Sequence, residues 1–357
     1  MHRMRGTALA AVALAGVLTL AACGTSDTPS GSTPAPSGTG AAPATTVKVG
    51  MAYDIGGRGD QSFNDSAARG LDKAKAESGI EVKELEASQG ETDAQKEDRL
   101  RQLAEGGYNP VIAVGFAYAG AVGKVAKDNP DVKFAIIDDF TPGTDDGANI
   151  ANLTFAENEG SFLVGVAAAL KSTTGNVGFV GGVNTPLIQK FEVGFTAGVK
   201  AAKPTGQVQV KYLTQPPDFT GFNDPAKGET AATGMFDAGV DVVYAAAGGS
   251  GSGVFKAAKA KGKLGIGVDS DQYNQPALAD VKDVILTSMV KEVDLAVYDF
   301  IGSVKNNTFK AGNKVYDLKA GGITYATSGG KIDDIKTQIE DYKSKITSGA
   351  ITVPAKK

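Results

Sequence analysis

Residues 47–65 read VKVGMAYDIGGRGDQSFND. Val47 to Tyr53 alternates with period two, as a half-buried strand does. A glycine-rich loop follows. Ser62-Phe63-Asn64-Asp65 then has the spacing of a capping box, which predicts a helix from about Asp65 to Ser78. Strand, loop, helix is the opening of a βαβ unit, and the rest of the chain repeats it. Short apolar runs, mostly β-branched, recur at Val111–Val114, Phe134–Ile137, Val177–Val180, Val208–Leu213, Val240–Tyr244, Leu264–Val268 and Val284–Val290. Ala-rich or amphipathic helical segments separate most of them. This rhythm predicts an α/β protein with parallel sheets covered by helices on both faces.

Two such sets are present, roughly Val47 to Asn152 and Asn176 to Val268, with a strongly helical segment, Glu159–Leu170, between them. Near the end, Ile332, Ile335, Ile339, Tyr342 and Ile346 fall at steps of three and four, one apolar stripe expected to pack into the core. The stretch from Val47 onward holds roughly 310 residues, too many for one ordinary core and about right for two domains.

The first 46 residues read differently. Arg3 and Arg5 precede a short apolar stretch, Thr7–Leu20, which is too short to span a bilayer and fits a cleaved signal. It leads into Leu20-Ala21-Ala22-Cys23, the lipobox pattern, and Cys23 is the single cysteine. The expectation is a signal peptide over 1–23, lipidation of Cys23, and a mature chain held by acyl chains on the extracytoplasmic face of the cell membrane. Gly24–Thr46 is built almost entirely of Ser, Thr, Pro, Gly and Ala, a composition that predicts a flexible tether.

Composition removes several function classes. The formal net charge is −4, and loss of the signal leaves 34 basic and 40 acidic residues, net −6. No basic stripe suggests nucleic acid. The only histidine is His2, and there is no tryptophan. Ser-His-Asp and Cys-His catalysis and His-rich metal sites are thereby excluded from the mature chain. An enzyme is not expected, nor a metal, a cofactor or a disulfide.

Ligands in open α/β sheets bind at the carboxyl ends of strands. After the first strand come Asp54, Asp60, Phe63 and Asn64. After later strands come Asp138, Gly248-Gly249, Asp269 and Lys291. These residues belong to both halves of the chain, so they can converge only in a cleft between two lobes. Several carboxylates and one ammonium suit a ligand rich in hydroxyl and N–H groups and repel phosphate. Phe63 and Phe222 lie in polar loops and suggest stacking on a flat ring, worth about 1–3 kcal/mol per base. A flat ring plus a sugar describes a nucleoside. Each residue also has an ordinary structural reading. The aspartates could cap helices, the phenylalanines could staple loops to the core, and Lys291 could be a surface lysine. Gly248–Gly253 matches neither a Rossmann fingerprint nor a P-loop and reads as a tight turn opening a helix. Gly120-Ala121-Val122-Gly123-Lys124 likewise reads as helix, and Asp269-Ser270-Asp271 lacks the further ligands of a calcium loop.

Asp60-Gln61-Ser62-Phe63-Asn64, Asn158-Glu159-Gly160-Ser161-Phe162, Ala247-Gly248-Gly249, Gly267-Val268-Asp269-Ser270-Asp271-Gln272 and Leu286-Thr287-Ser288-Met289-Val290-Lys291 together resemble the basic membrane protein family, substrate-binding lipoproteins of ABC importers. The likeness runs in order over nearly all of Val47–Pro354. It implies a type I periplasmic-binding-protein fold, two doubly wound lobes joined by a multi-strand hinge. The expected partition is 47–153 with about 284–307 for one lobe, and 154–283 with about 308–357 for the other. In nucleoside-binding members two phenylalanines sandwich the base, and their positions match Phe63 and Phe222. Residues that hold the ribose match Asp54, Gly248, Asp269 and Lys291. Base-edge contacts match Asp138 and Asp60, where an asparagine is expected in that loop, so Asp60 is a departure bearing on base choice. Asn64 belongs to the same motif. The implied partners are a nucleoside, with purine nucleosides favoured, and an ABC permease in the membrane, with the protein itself a monomer. The alternatives are a sugar or other small polar ligand, or a surface sensor without transport; a nucleoside hydrolase is more distant.

Overall fold

The computed structural model describes residues 47–357; the expected signal peptide, the expected lipidation of Cys23 and the expected tether fall outside the described residues. The chain builds two six-stranded sheets. The first contains β1 (Lys48–Ala52), β2 (Glu81–Leu85), β3 (Val111–Ala113), β4 (Phe134–Ile137), β5 (Ile150–Phe155) and β11 (Gly312–Tyr316), in the order β11-β5-β4-β3-β1-β2. All its pairings are parallel. The second contains β6 (Asn176–Val183), β7 (Gln207–Thr214), β8 (Val242–Ala246), β9 (Leu264–Asp269), β10 (Ile285–Lys291) and β12 (Ile323–Tyr325), in the order β12-β10-β9-β8-β6-β7. It is parallel except for β12, which runs against β10. Order 2-1-3-4-5 within each half is the doubly wound pattern, with the first strand of each half inside and the chain reversing direction beside it.

Nine helices lie among the described residues: α1 (Phe63–Ser78), α2 (Asp93–Glu105), α3 (Ala119–Asp128), α4 (Glu157–Lys171), α5 (Pro186–Ala202), α6 (Pro225–Asp237), α7 (Gly251–Lys261), α8 (Val293–Lys305) and α9 (Lys336–Thr347). Local chemistry sets several starts. Thr92 and Gln95 form a capping box on α2, while Thr185 and Asp224 cap α5 and α6, each with proline at the first helical position. Helices α4 and α5 approach closely because Gly194 and Gly198 face the Asn158 and Phe162 carbonyls, where any Cβ would collide. The stripe Ile332, Ile335, Ile339 and Ile346 is buried, with Tyr342 half-buried beside it, as its spacing predicts.

The capping box expected at Ser62 does not form. Ser62 is the residue before α1, but its hydroxyl makes no cap bond. It donates instead to Asp269 Oδ2 at 2.7 Å, across to the second lobe. The helix begins at Phe63, and Asp60 accepts from the Asn64 and Asp65 N–H groups of its first turn.

The sheets also differ from the expected partition in two places. Strand β10 pairs with β9 and lies in the second sheet, whereas the expected partition has residues 284–307 in the first lobe. Strand β11 pairs with β5 in the first sheet, although it falls within 308–357. Helix α8 packs on α1, on the first lobe. The chain therefore crosses between lobes three times: at Ala156, at Glu292, and between Tyr316 and Ile323. The crossings are tied together. Ala156 N donates to the Tyr316 carbonyl at 3.1 Å, and Glu292 N to the Gly322 carbonyl at 3.0 Å.

Candidate functional site

A cavity lies between the lobes. All nine residues singled out in the sequence (Asp54, Asp60, Phe63, Asn64, Asp138, Phe222, Gly248, Asp269 and Lys291) line it. The first lobe supplies the loop after β1, the start of α1 and the end of β4. The second supplies the ends of β8, β9 and β10 and the 3-10 turn Thr220–Phe222.

Asp60 and Asn64 form the floor of the first-lobe loop. Asp60 Oδ1 accepts from Ser62 N (2.9 Å) and Asp65 N (3.1 Å). Its Oδ2 accepts from Asn64 N (2.8 Å) and Asn64 Nδ2 (3.0 Å). Four donors fill the acceptor capacity of a carboxylate. Asn64 is also engaged: its Oδ1 accepts from Asp54 N at 3.0 Å and its Nδ2 also donates to the Ile55 carbonyl at 3.3 Å, so both donors are used and one lone pair of Oδ1 stays open. Burial pushes the Asp60 pKa up to about 7, against the pull of the N–H groups. Asp54 is less committed. One oxygen accepts from Ile55 N at 2.7 Å, and burial raises its pKa to about 6. Gly115, at φ +104°, leaves the space that the Asp54 carboxylate occupies.

Asp138 and Asp269 end their strands in the left-handed region, at φ 71° and 63°. Aspartate tolerates this conformation better than most residues, and strain of this kind concentrates at functional sites. Between them lies Lys291, 1 % exposed. Its Nζ donates to Asp138 Oδ2 at 2.5 Å and lies 3.6 Å from Glu157 Oε1. The rings of Phe63, Phe155 and Phe191 stand 4.9, 5.0 and 5.7 Å from the ammonium, within the range of cation–π attraction. Burial disfavours the charged lysine, yet Asp138, Glu157 and Asp269 together raise its pKa. Burial raises both aspartates, while Lys291 holds each of them down. Asp138 Oδ1 is buried and has no partner among the described residues.

The aromatic wall comes from both lobes. Phe63 opens α1 and Phe222 closes the Thr220–Phe222 turn. Phe116 of the first lobe meets Phe219 and Phe222 of the second edge-on, with centroids 5.8 and 6.4 Å apart. Gly248, at φ +55°, passes so close to the Phe222 carbonyl that a Cβ would lie 2.9 Å from it.

Several residues here were not singled out in the sequence. Phe116 follows β3, and Leu187, Ile188 and Phe191 stand on the first turns of α5 beyond β6. Both groups lie just beyond the carboxyl ends of parallel strands, the signal by which sequence marks such residues. Glu157, which touches Lys291 from behind, follows β5, a strand whose Asn152 and Thr154 interrupt the apolar run. Ser62 emerges only from the fold, because its partner Asp269 is 207 residues away.

The family model of the ABC transporter substrate-binding protein PnrA-like family, Bmp, matches residues 46–357. A CD4+ T-cell-stimulating antigen of Listeria monocytogenes is 38% identical over 323 residues, covering 86% of this chain and 88% of that protein. The ABC transporter nucleoside-binding protein BmpA of Lactococcus lactis is 34% identical over 368 residues, 99% of this chain and 100% of that one. Among solved structures, an ABC transporter solute-binding protein from Aeropyrum pernix superposes with a TM-score of 0.74 at 30% identity, covering 86% of this chain and 94% of the other. Two doubly wound lobes, a cleft at their strand ends and a family match over residues 46–357 agree with the resemblance read from the motifs. They also agree with the expectation of a binding protein and not an enzyme. The chain belongs to the Bmp family of ABC transporter substrate-binding proteins.

Proposed function

We propose that the protein captures nucleosides, purine nucleosides above all, and delivers them to an ABC permease. The observation that carries this reading is the pairing, in one cavity, of phenylalanines from opposite lobes with the Asp54, Asp138, Asp269 and Lys291 side chains. Flat apolar faces suit a base, worth about 1–3 kcal/mol per stacked ring. Carboxylates and an ammonium suit ribose hydroxyls and the N–H groups of a base edge. In this reading Phe63 and Phe222 enclose the base, Asp138 accepts from its edge, and Asp54, Asp269, Lys291 and the backbone at Gly248 hold the ribose. Asp60 shapes the loop and, its four acceptor sites filled, does not contact the ligand through its carboxylate, while Asn64 spends both amide N–H groups on the same loop. Base choice therefore rests with Asp138 more than with Asp60. The Lactococcus relative named as nucleoside-binding, similar over its full length, supports the same ligand class.

The lobes, each a sheet with its helices, open and close about the three crossings, and the closed form docks on the permease. Lipid on Cys23 anchors the protein at the extracytoplasmic face, with residues 24–46 as tether. Among the described residues no helix is long and apolar enough to cross a membrane.

The test is calorimetric titration of lipid-free protein, unfolded and refolded to strip carried ligand, with guanosine, inosine, adenosine, cytidine and ribose. Micromolar or tighter binding of purine nucleosides, with none of ribose, is the expected result. Folded protein silent toward every nucleoside would overturn it in favour of a sugar ligand or a sensor.

A further inference from the structure

Glu157 is fully buried yet does not border the cavity. It lies just after the first lobe crossing, as Lys291 lies just before the second. Its Oε2 accepts from Lys190 Nζ at 2.5 Å, and Lys190 also donates to the Phe155 carbonyl at 2.9 Å. Its Oε1 stands 3.6 Å from Lys291 Nζ, beyond hydrogen-bond reach, and has no other partner among the described residues. A buried carboxylate oxygen left in this state is costly unless a donor can move to it.

We propose that Glu157 is a positioning residue for ligand capture: it is the counter-ion of Lys291 that no ligand touches, and it allows Asp138 to turn toward a ligand donor. The proposal rests on the nucleoside reading above. An ammonium has three donors. With Asp138 as its sole close counter-ion, Lys291 and Asp138 would neutralise each other and neither would serve a ligand. With Glu157 behind it, Lys291 can shift by less than an ångström or so into hydrogen-bond range of Oε1 and loosen its hold on Asp138. The groups that face this lysine come from every neighbouring element. Asp138 ends β4, Asp269 ends β9 and Glu157 opens α4. Lys190 on α5 backs Glu157, Arg69 on α1 acts on Asp269, and the Tyr244 hydroxyl on β8 is bonded to Ser161. Two of the three carboxylates, Asp138 and Asp269, line the cavity, and Glu157 alone is shielded from it.

The test is calorimetric titration of inosine and guanosine across the neutral and alkaline range, with wild type, Glu157→Gln, Glu157→Asp and the double variant Glu157→Gln/Lys190→Met. The double variant removes both charges of the pair and leaves none unpaired on α5. Expected are an affinity loss of about tenfold or more in both Gln variants, partial recovery in Glu157→Asp, and an alkaline fall in affinity that begins at lower pH once one of three carboxylates around Lys291 is gone. Folded variants with wild-type affinity and an unmoved alkaline limb overturn the positioning role alone. A wild type that binds neither nucleoside overturns the nucleoside reading and this proposal with it. Should the variants misfold, a ligand-bound crystal structure of the wild type decides: Lys291 Nζ within hydrogen-bond distance of Glu157 supports the proposal, and an unchanged or wider gap overturns it.

Discussion

The loop after β1 and the turn after β4 each present an aspartate at the carboxyl end of a strand, and the two aspartates have opposite fates. Asp60 is surrounded by the N–H groups of a helix start, and all of its acceptor capacity goes to four donors within five residues. Asp138 is followed by no helix start. One oxygen meets a lysine from the other lobe and the other is left open. Position relative to the strand brings a carboxylate to the cleft; the local supply of N–H donors decides whether the fold or a ligand uses it.

The largest effect expected on this contrast is that of Lys291→Met. It leaves Asp138 buried without its ammonium and removes the cation shared with Asp269 and Glu157, and should destabilise the protein by about 3–5 kcal/mol, measured by urea unfolding. Adding Asp138→Asn should recover part of the loss. A single variant as stable as wild type would mean that the carboxylates are not held by this lysine.

Asp60→Ala and Asp138→Asn should then separate the two aspartates. The first leaves Ser62 N and two N–H groups of α1, those of Asn64 and Asp65, unpaired and should cost roughly 2–3 kcal/mol of stability with a modest change in nucleoside affinity. The second should weaken binding by about 1.5–3 kcal/mol and alter stability less. The reverse pattern in unfolding and titration would break the comparison.

Phe63→Ala or Phe222→Ala should weaken nucleoside binding by about 1–3 kcal/mol while folding is largely retained. Unchanged affinity in either titration removes the sandwich.

Asp54 is the intermediate case, with one oxygen held by Ile55 N and a pKa raised by burial to about 6. Because the folded value lies above the ordinary one of 3.8, folding takes up a proton there between the two. Its contribution to stability is therefore lost as pH rises through that window. Asp54→Asn should remove this slope and leave the variant more stable than wild type at neutral pH, by about 1 kcal/mol for a group still partly open to solvent. The gap should close below about pH 4. Urea unfolding of both proteins across that range checks the sign.

Much of the molecule was legible because burial on both faces forces parallel strands into apolar runs. Val111–Ala113 and Phe134–Ile137 declare themselves in this way, and the residue after each such run is a candidate for the cleft. The exceptions have physical causes. Strand β2 reads EVKEL because it is a sheet edge, half open to water. Strand β5 carries Asn152, whose amide is buried to hold the Asp139 and Asp145 carbonyls, so its apolar run is broken and Glu157 beyond it escapes notice. The sheet that β10 joins depends on its register with β9, and the diversion of Ser62 away from its cap depends on Asp269. Neither partner is a sequence neighbour.

The edge-on contact of Phe116 with Phe219 across the cleft has an optical consequence. The chain contains no tryptophan, so Phe219→Trp would place a lone indole fluorophore where the lobes meet. Its emission colour would report whether that ring is covered or wet, and the protein would become its own stopwatch for lobe closure, with no dye attached.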